Sequence, residues 1–551
     1  MRVVIVGGVA GGMSTATRLR RLDVDAQITV LERSGHVSFA NCGLPYFIGG
    51  LIEEEDDLTL QTPEQLFDRF RLDVRVHDEV VAIDRGAHTV TARSTTTGAE
   101  THVDYDKLVL SMGAAPVRPP IPGYDRVRTL RTVEDAALLA ADVGVRPRTA
   151  VVIGAGFIGL EMAENLVEQG IDVSVVEATP QVLPPLDPEL AVLVADELVS
   201  HGVRVHTAAT VVSVDDRAVT LADGQVLAAD VVVGAIGIRP DVRIAEAAGL
   251  ALGPSGGLAV NEANQTNDPD VYAIGDAVEK PDAVSHAKSL IALANVANRQ
   301  GRRVADHIAG RPSHAVPSLG TAIVRVFDLV AATVGWNERR LRGAGRRYRA
   351  IHSHPFDHAT YFPGATRMAA KLLFDPDDGT ILGAQIVGRN GVDKRIDVIA
   401  AAMAGRLRAD HLADLELAYA PPFSSAKDPV NMLGDMAENV LSGDCDVVDA
   451  LELDQLLADG RRLVDVRTAD EHAAGAIPGS INVPIDSLRE QLDTLGNGPV
   501  VVYCEVGQRG HTATALMQEL GFKVRNLDGG YRTWTASLRA QTQGPAKTAR
   551  V

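Results

Sequence analysis

The sequence predicts an α/β chain: two dinucleotide-binding folds of Rossmann type, then an α+β segment, then a compact α/β domain. Three observations carry this. A strand, glycine-rich turn, helix, strand and acid recur twice in the first 180 residues. After residue 320 the pattern becomes alternating strands followed by alanine-rich helices. Beyond a short connector at Asp444–Asp446 a small α/β pattern of strands and helices begins. The 551 residues allow for three or four domains at about 150 residues each.

The first unit runs Arg2-Val3-Val4-Ile5-Val6, then Gly7 to Gly12, a helical run, and Ile28 to Leu31 ending in Glu32. The second runs Ala150 to Ile153, Gly154-Ala155-Gly156-Phe157-Ile158-Gly159, and Val173 to Val176 ending in Glu177. A glycine turn lets backbone amides approach a pyrophosphate at a helix N-terminus, where the dipole favours negative charge. The acid after the second strand accepts hydrogen bonds from ribose hydroxyls. One such pattern is weak evidence, since an ordinary tight turn reads the same way. Two copies in context predict two dinucleotides. Gly154, Gly156, Gly159 and Glu177 satisfy the pattern fully, whereas Val9 stands where the first turn's middle glycine belongs. Ala178 and Thr179 follow Glu177, with no arginine ready for a 2′-phosphate, so NADH is favoured and NADPH stays possible.

Composition narrows the function. Lysine and arginine against aspartate and glutamate give 53 − 72 = −19, with 46% hydrophobic and 4% aromatic residues. Such a chain is too apolar for disorder and too acidic for a general nucleic-acid binder. Any anionic ligand must be met by local basic residues. No apolar run reaches about 18 residues, and Met1 leads directly into a strand pattern. The expectation is a cytoplasmic protein with neither membrane nor nucleic acid as partner. Its three cysteines, Cys42, Cys445 and Cys504, are too far apart for a disulfide framework or a zinc finger.

The segment Thr266-Asn267-Asp268-Pro269-Asp270-Val271-Tyr272-Ala273-Ile274-Gly275-Asp276 resembles the second flavin motif of the two-dinucleotide flavoprotein fold. In that motif the aspartate meets the ribityl chain; a helix N-cap is the other reading of Asp276. Leu108 to Ala114 and Val231 to Gly237 match companion strands of the same fold. The resemblance places an FAD-binding domain at 1–115 and 245–320 and an NAD(P)H-binding domain at 116–244. It implies Gly7, Ala10, Gly12, Glu32, Ala114 and Asp276 for FAD. Gly154, Gly156, Gly159, Glu177 and Gly237 fall to the nicotinamide cofactor.

Cys42 lies in Ser38-Phe39-Ala40-Asn41-Cys42-Gly43-Leu44-Pro45-Tyr46 with no second cysteine nearby. A redox role must then use an external sulfur, as mixed disulfide, persulfide or sulfenic acid; otherwise it is an inert buried thiol. Together with Gly7-Gly8-Val9-Ala10-Gly11-Gly12, this run resembles the single-cysteine flavin disulfide reductases, in particular the coenzyme A-disulfide reductase family, over about residues 1–440. The resemblance implies an α+β dimerisation domain at 321–440 and a homodimer. It also implies that Tyr361 and Tyr419 reach the thiol from the partner subunit, where a phenol can protonate a departing thiolate. No histidine occurs between His411 and His472, which disfavours the histidine–glutamate mechanism of glutathione reductase-type enzymes. Ala10 stands where the oxidase/peroxidase branch carries a histidine, so peroxide reduction is expected as a side activity at most.

Ser14, Arg18 and Arg21 recur at i, i+4 and i+7 and share a helix face. The resemblance makes that face a contact for the phosphates of coenzyme A; a solvated helix face is the bland reading. Ser38, Asn41, Asn298 and Lys427 match further substrate contacts, and Arg69 and Arg71 are looser candidates. Guanidinium–phosphate pairing would supply the affinity.

Arg461 to Arg467, Glu471-His472, Ile477 to Pro484 and Val500-Val501-Val502-Tyr503-Cys504-Glu505-Val506-Gly507-Gln508-Arg509-Gly510 resemble a rhodanese domain, placed at 446–540. A cysteine at a strand end, with a glycine-bearing loop closing on a helix N-terminus, sits amid inward amides. Those amides would hold the anionic outer sulfur of a persulfide, and Arg509 adds positive charge. The loop holds four residues between Cys504 and Arg509, shorter than in related phosphatases, which favours sulfur transfer. A non-catalytic docking module is the alternative. Cys445 has no such surroundings and is expected to be incidental. The tail from Gln541 reads as polar and frayed.

The expectation is a flavin-dependent NAD(P)H oxidoreductase that reduces coenzyme A disulfide, coenzyme A persulfide or polysulfide through Cys42. Cys504 would relay sulfane sulfur, with bound coenzyme A as substrate or carrier. An NADH oxidase/peroxidase with a docking module is the alternative.

Overall fold

The computed structural model describes residues 1–496 and 498–542; most of the polar tail expected from Gln541 lies outside them. The chain divides into two compact units: Met1–Val176 with Ala209–Gly320, and Glu177–Ala208 with the described residues from Thr321 on.

In the first unit the leading strand Arg2–Val6 lies at the centre of a five-stranded parallel sheet. Its order is Val271–Ala273, Lys107–Leu110, Arg2–Val6, Gln27–Leu31, Asp73–Arg75, with Val4 opposite Thr29 on one side and Leu108 on the other. Val3, Val4 and Ile5 are buried in succession, as a strand covered on both faces requires. The helix Ala10–Leu22 packs along the helix Ala294–Ile308. Gly301 permits that approach, since a Cβ there would stand 2.4 Å from the Gly11 carbonyl oxygen. The packing brings Ser14 beside Asn298.

The second repeat forms the parallel strands Thr149–Ile153, Asp172–Val176 and Val231–Gly234 around the helix Phe157–Glu168. The chain enters and leaves this segment through an antiparallel pair, Ala114–Pro116 with Ile238–Pro240. That pair corrects two expected strands, since neither Leu108 to Ala114 nor Val231 to Gly237 is continuous. The first stops at Leu110 and the chain resumes as a strand at Ala114 after Gly113 turns at φ +70°; the second stops at Gly234, and Gly237 turns at φ +104° ahead of Ile238–Pro240.

The second unit contains a five-stranded antiparallel sheet ordered Ala322–Val326, Leu329–Gly335, Ile381–Gly388, Ala369–Phe374, Arg349–Ser353. The helix Val392–Ala404 covers its central strands, and Ile381–Gly388 is buried throughout, so this segment is α+β as expected. A five-stranded parallel sheet follows, ordered Val447–Val448, Val524–Leu527, Val500–Tyr503, Arg462–Asp465, Ile481–Asn482. The helix Pro188–Ser200 belongs to this unit and packs on the terminal helix Gly530–Thr542. Among the described residues no helix is long and apolar enough to cross a membrane.

Candidate active site

Both glycine turns have the geometry a pyrophosphate requires. Gly7 and Gly154 adopt φ +99° and +103°, and their amides donate to the carbonyls of Leu31 and Val176 at 2.9 and 2.8 Å. A Cβ on Gly12 would fall 1.9 Å from the Gly7 oxygen, and one on Gly159 would fall 2.0 Å from the Gly154 oxygen. These glycines are fixed by internal packing. Gly156 differs: its backbone is extended, and a Cβ there would meet nothing within 4 Å. Nothing inside the protein requires glycine at 156, which is the expected mark of a bound phosphate's close approach. The helices starting at Ala10 and Phe157 have no side-chain cap, so their first amides stay open to an anion. Val9 holds the N-cap position of the first helix at φ −109° and ψ −143°.

Glu32 is buried and accepts from the amides of Gly8 (2.8 Å) and Ser34 (3.0 Å), an acid held at the end of its strand beside the glycine turn. Glu177 follows its strand directly and is buried, accepting from the Thr179 amide at 2.7 Å. Ala114 is buried at the start of its short strand. Asp276 lies in the turn Gly275–Ala277 and pairs with Arg131 Nη2 at 3.0 Å. Both nucleotide folds therefore fit the cofactors implied for them.

Cys42 occupies the single turn Asn41–Gly43 and is exposed. Ser38 holds a left-handed backbone (φ +50°), its amide donating to Gly8 O at 2.8 Å. That contact ties the thiol segment to the first glycine turn. Cys42 Sγ lies 3.8 Å from Asn41 Oδ1. Partial desolvation raises the thiol pKa, the charges of Glu161 and Asp276 add to this, and Arg131 opposes them. Sequence reasoning missed Glu161 and Arg131. Burial and the neighbouring Glu164 push the Glu161 carboxyl up to about 7, a value suited to proton exchange near neutrality. Its signal was available, since Glu161 follows Gly159 by two residues on the helix of the second repeat.

The anion face is only partly as expected. Ser14 donates to Asn298 Oδ1 at 2.8 Å. Arg18 is not a free cation: its Nη2 pairs with Asp306 at 2.7 Å, because the close packing of the two helices puts an acid opposite it. Arg21 is exposed and lies over the Phe70 ring, 5.3 Å from its centroid. Lys427 pairs with Asp435 at 2.5 Å. Of these basic side chains, Arg21 keeps the least compensated charge.

Tyr361 and Tyr419 are brought together. Their hydroxyls lie 2.6 Å apart and both rings are exposed; the hydrogen bond to Tyr419 raises the Tyr361 pKa.

Cys504 ends the strand Val500–Tyr503 and is fully buried. Gly507 turns at φ +92° into the helix Gln508–Glu519, which has no side-chain cap, so the first amides of that helix stay open to an anion. Arg509 is again not free. Its Nη1 and Nη2 each donate at 2.7 Å to Glu471, and this fork pulls the Glu471 carboxyl down to about 2. The capping box of Thr468 holds Glu471 in place. Asp465, Arg467, His472 and Glu505 form a second ionic group nearby. Cys445 is buried beside Asp528 and Asp446, its thiol pushed up to about 12, chiefly by burial, consistent with an inert thiol.

The fold and its glycine turns define a flavin- and pyridine-nucleotide-type reductase joined to a sulfurtransferase-like domain. The model of the pyridine nucleotide-disulphide oxidoreductase family matches residues 1–301, its dimerisation domain 321–429, and the rhodanese-like domain 449–537. The chain belongs to the pyridine nucleotide-disulphide oxidoreductase family, whose members depend on FAD and NAD(P). A coenzyme A disulfide reductase of Staphylococcus haemolyticus is 35% identical over 443 residues, 80% of this chain and all of that protein. The crystal structure of reduced Bacillus anthracis CoADR-RHD superposes with a TM-score of 0.96 at 45% identity, covering 98% of both chains. A NAD-dependent persulfide reductase from A. fulgidus superposes at 0.90 and 38% identity, covering 97% of this chain and all of that one.

Proposed function

We propose that this chain uses NADH to reduce coenzyme A disulfide, coenzyme A persulfide or polysulfide at Cys42, and that Cys504 carries sulfane sulfur in the same cycle. The observation that carries the reading is the pair of unlike, isolated thiols. One is exposed on a turn tied to a glycine loop; the other is buried at a strand end, just before an uncapped helix. Bound FAD would supply two-electron transfer from the nicotinamide to sulfur.

The chain's own residues do the rest. The Cys42 thiolate attacks one sulfur of the disulfide, the S–S bond breaks, and a Cys42–coenzyme A mixed disulfide forms. The departing coenzyme A thiolate takes a proton, for which the Tyr361–Tyr419 pair is the donor; in a homodimer that pair serves the partner subunit's Cys42. Two electrons and one proton then reduce the mixed disulfide, releasing a second coenzyme A thiol. Glu161, poised near neutrality, exchanges protons with the thiol's surroundings. Asn41 and Ser38 shape the turn, Ser14 and Asn298 form a polar seat, and Arg21 offers charge to a phosphate. Glu177 without a following arginine suits NADH. In the second domain Cys504 accepts sulfane sulfur, and the amides at the start of the helix Gln508–Glu519 hold the anionic terminal sulfur. The domain segments 1–115 with 245–320, 116–244, 321–440 and 446–540 are the units of this division of labour.

Two substitutions test it. Cys42→Ser should abolish NADH-driven reduction of coenzyme A disulfide. Cys504→Ser should keep that activity within about twofold and lose polysulfide-linked turnover. Retention of both activities in Cys504→Ser would sink the carrier role.

A further inference from the structure

The sulfurtransferase-like sheet meets the antiparallel sheet of the same unit at a buried histidine, His352. His352 lies on the strand Arg349–Ser353, paired across the sheet with Lys371, and its side chain is 6% exposed. Its Nδ1 meets Asp528 Oδ2 at 2.5 Å, and its Nε2 meets Glu189 Oε1 at 3.0 Å. Its backbone amide donates to Asp528 Oδ1 at 3.0 Å. Only an imidazolium can donate from both ring nitrogens. The charged and titratable groups around it are Asp528, Glu189, Lys371 and His354. Burial works against the cation, but the two carboxylates prevail and push His352 up to about 9.

Asp528 opens the segment that packs on the thiol loop. Gly529 and Gly530 both take φ +64°. A Cβ on Gly529 would stand 2.8 Å from His352 Cβ, and one on Gly530 would stand 2.3 Å from Cys504 O and 2.8 Å from Gly507 N. Two amides complete the contact, Tyr531 N to Cys504 O at 2.8 Å and Arg532 N to Glu505 O at 3.1 Å. One residue further on, Thr533 Oγ1 meets His354 Nε2 at 2.8 Å. A continuous path of hydrogen bonds and glycine-tight contacts runs from His352 through Asp528 and Gly530 to the loop that carries Cys504.

We propose that His352 is a positioning residue for the Cys504 thiol, clamping the segment 528–532, and with it the loop 504–507, against the antiparallel sheet. The inference rests on Cys504 being a sulfur carrier, and the test separates the two. The full-length holoenzyme is assayed for sulfur transfer from thiosulfate to cyanide. Thiosulfate gives its outer sulfur to the Cys504 thiolate and leaves as sulfite; cyanide takes that sulfur as thiocyanate and restores the thiolate. NADH-linked reduction of coenzyme A disulfide is measured alongside.

His352→Gln is expected to lower sulfur-transfer kcat about tenfold, with thiosulfate KM and disulfide reduction each within about twofold. Asp528→Asn should match it, and the double variant should be no worse than either single one. Parental sulfur transfer in both single variants overturns the proposal, as do losses that multiply in the double variant. So does a parallel fall in both activities, which would assign His352 to general stability. Sulfur transfer surviving in Cys504→Ser overturns the carrier reading instead. Should the variants fail to fold, hydrogen exchange in the unmodified holoenzyme decides. The amides of Tyr531 and Arg532, corrected for intrinsic rates, should lose protection ahead of Val500–Tyr503 as the pH passes about 9; simultaneous loss overturns the proposal.

Discussion

Gly12 and Gly156 occupy related turns and make opposite predictions. A methyl on Gly12 collides with the Gly7 carbonyl at 1.9 Å, so Gly12→Ala should destabilise the first unit by at least about 2 kcal/mol, read as a lower denaturant midpoint. A methyl on Gly156 meets open space. Gly156→Ala should therefore leave the midpoint unchanged while raising KM for NADH about tenfold, or about 1.4 kcal/mol. A parental KM would remove the pyrophosphate from that turn. Glu161 gives a prediction in pH. Its folded-state carboxyl, held up to about 7, stays protonated below that value and becomes charged above it. That charge raises the Cys42 pKa. Glu161→Gln should shift the pH midpoint of Cys42 alkylation downwards, and an unchanged midpoint would exclude the coupling. The sign for stability is the same as for any acid raised on folding. The unfolded chain ionises first, so stability falls as pH rises from about 4.5 to about 7, and the substitution should flatten that limb.

Within the second unit, the strand Ala369–Phe374 carries Lys371, 1% exposed, against Asp187 (2.9 Å), Glu189 (2.6 Å) and Glu338 (3.0 Å). One cation serves three acids. Burial and Glu189 keep Asp187 above the usual carboxylate range, while Lys371 and His352 draw Glu189 below it against its burial. Lys371→Met strips the cation from these carboxylates and should cost about 3–5 kcal/mol, measured by urea unfolding. Replacing a surface partner such as Arg347, exposed beside Asp377, should cost under about 1 kcal/mol. The loops bearing Tyr361 and Tyr419 make a different prediction. Each Tyr→Phe removes one side of a 2.6 Å hydrogen bond on the surface. Stability should hold while disulfide cleavage slows about 100-fold in single-turnover mixing. The βαβ elements were legible in the sequence, because hydrophobic runs and glycine turns are local signals. The break after Gly234 was not, because the next strand, Ile238–Pro240, takes its register from Ala114–Pro116, far away in the chain.

For the whole molecule, the relative from Staphylococcus haemolyticus is covered completely by 443 residues of this chain. A chain ending at Ser442 should therefore keep disulfide reductase activity and lose all sulfur transfer. Its unfolding midpoint should fall, because His352 would lose Asp528. The pH sign agrees. A histidine raised to about 9 on folding stabilises fully below its ordinary value near 6.5 and contributes nothing above about 9. Comparing urea midpoints of the full chain at pH 6 and 9.5 should show a loss that His352→Gln lacks.

The sequence alone determined the chemistry that local patterns encode: two glycine turns with their acids, one lone thiol shortly after the first of those acids, one strand-end thiol, and the order of the segments. A turn needs its glycine at a fixed spacing whatever surrounds it. Tertiary structure decided which charges remain free and which groups meet. Arg18 found Asp306 288 residues away, Tyr361 found Tyr419 58 away, and His352 found Asp528 176 away. Such partners are chosen by packing and desolvation, which bring a buried charge to whichever opposite charge the fold delivers. No periodicity in the chain records that choice.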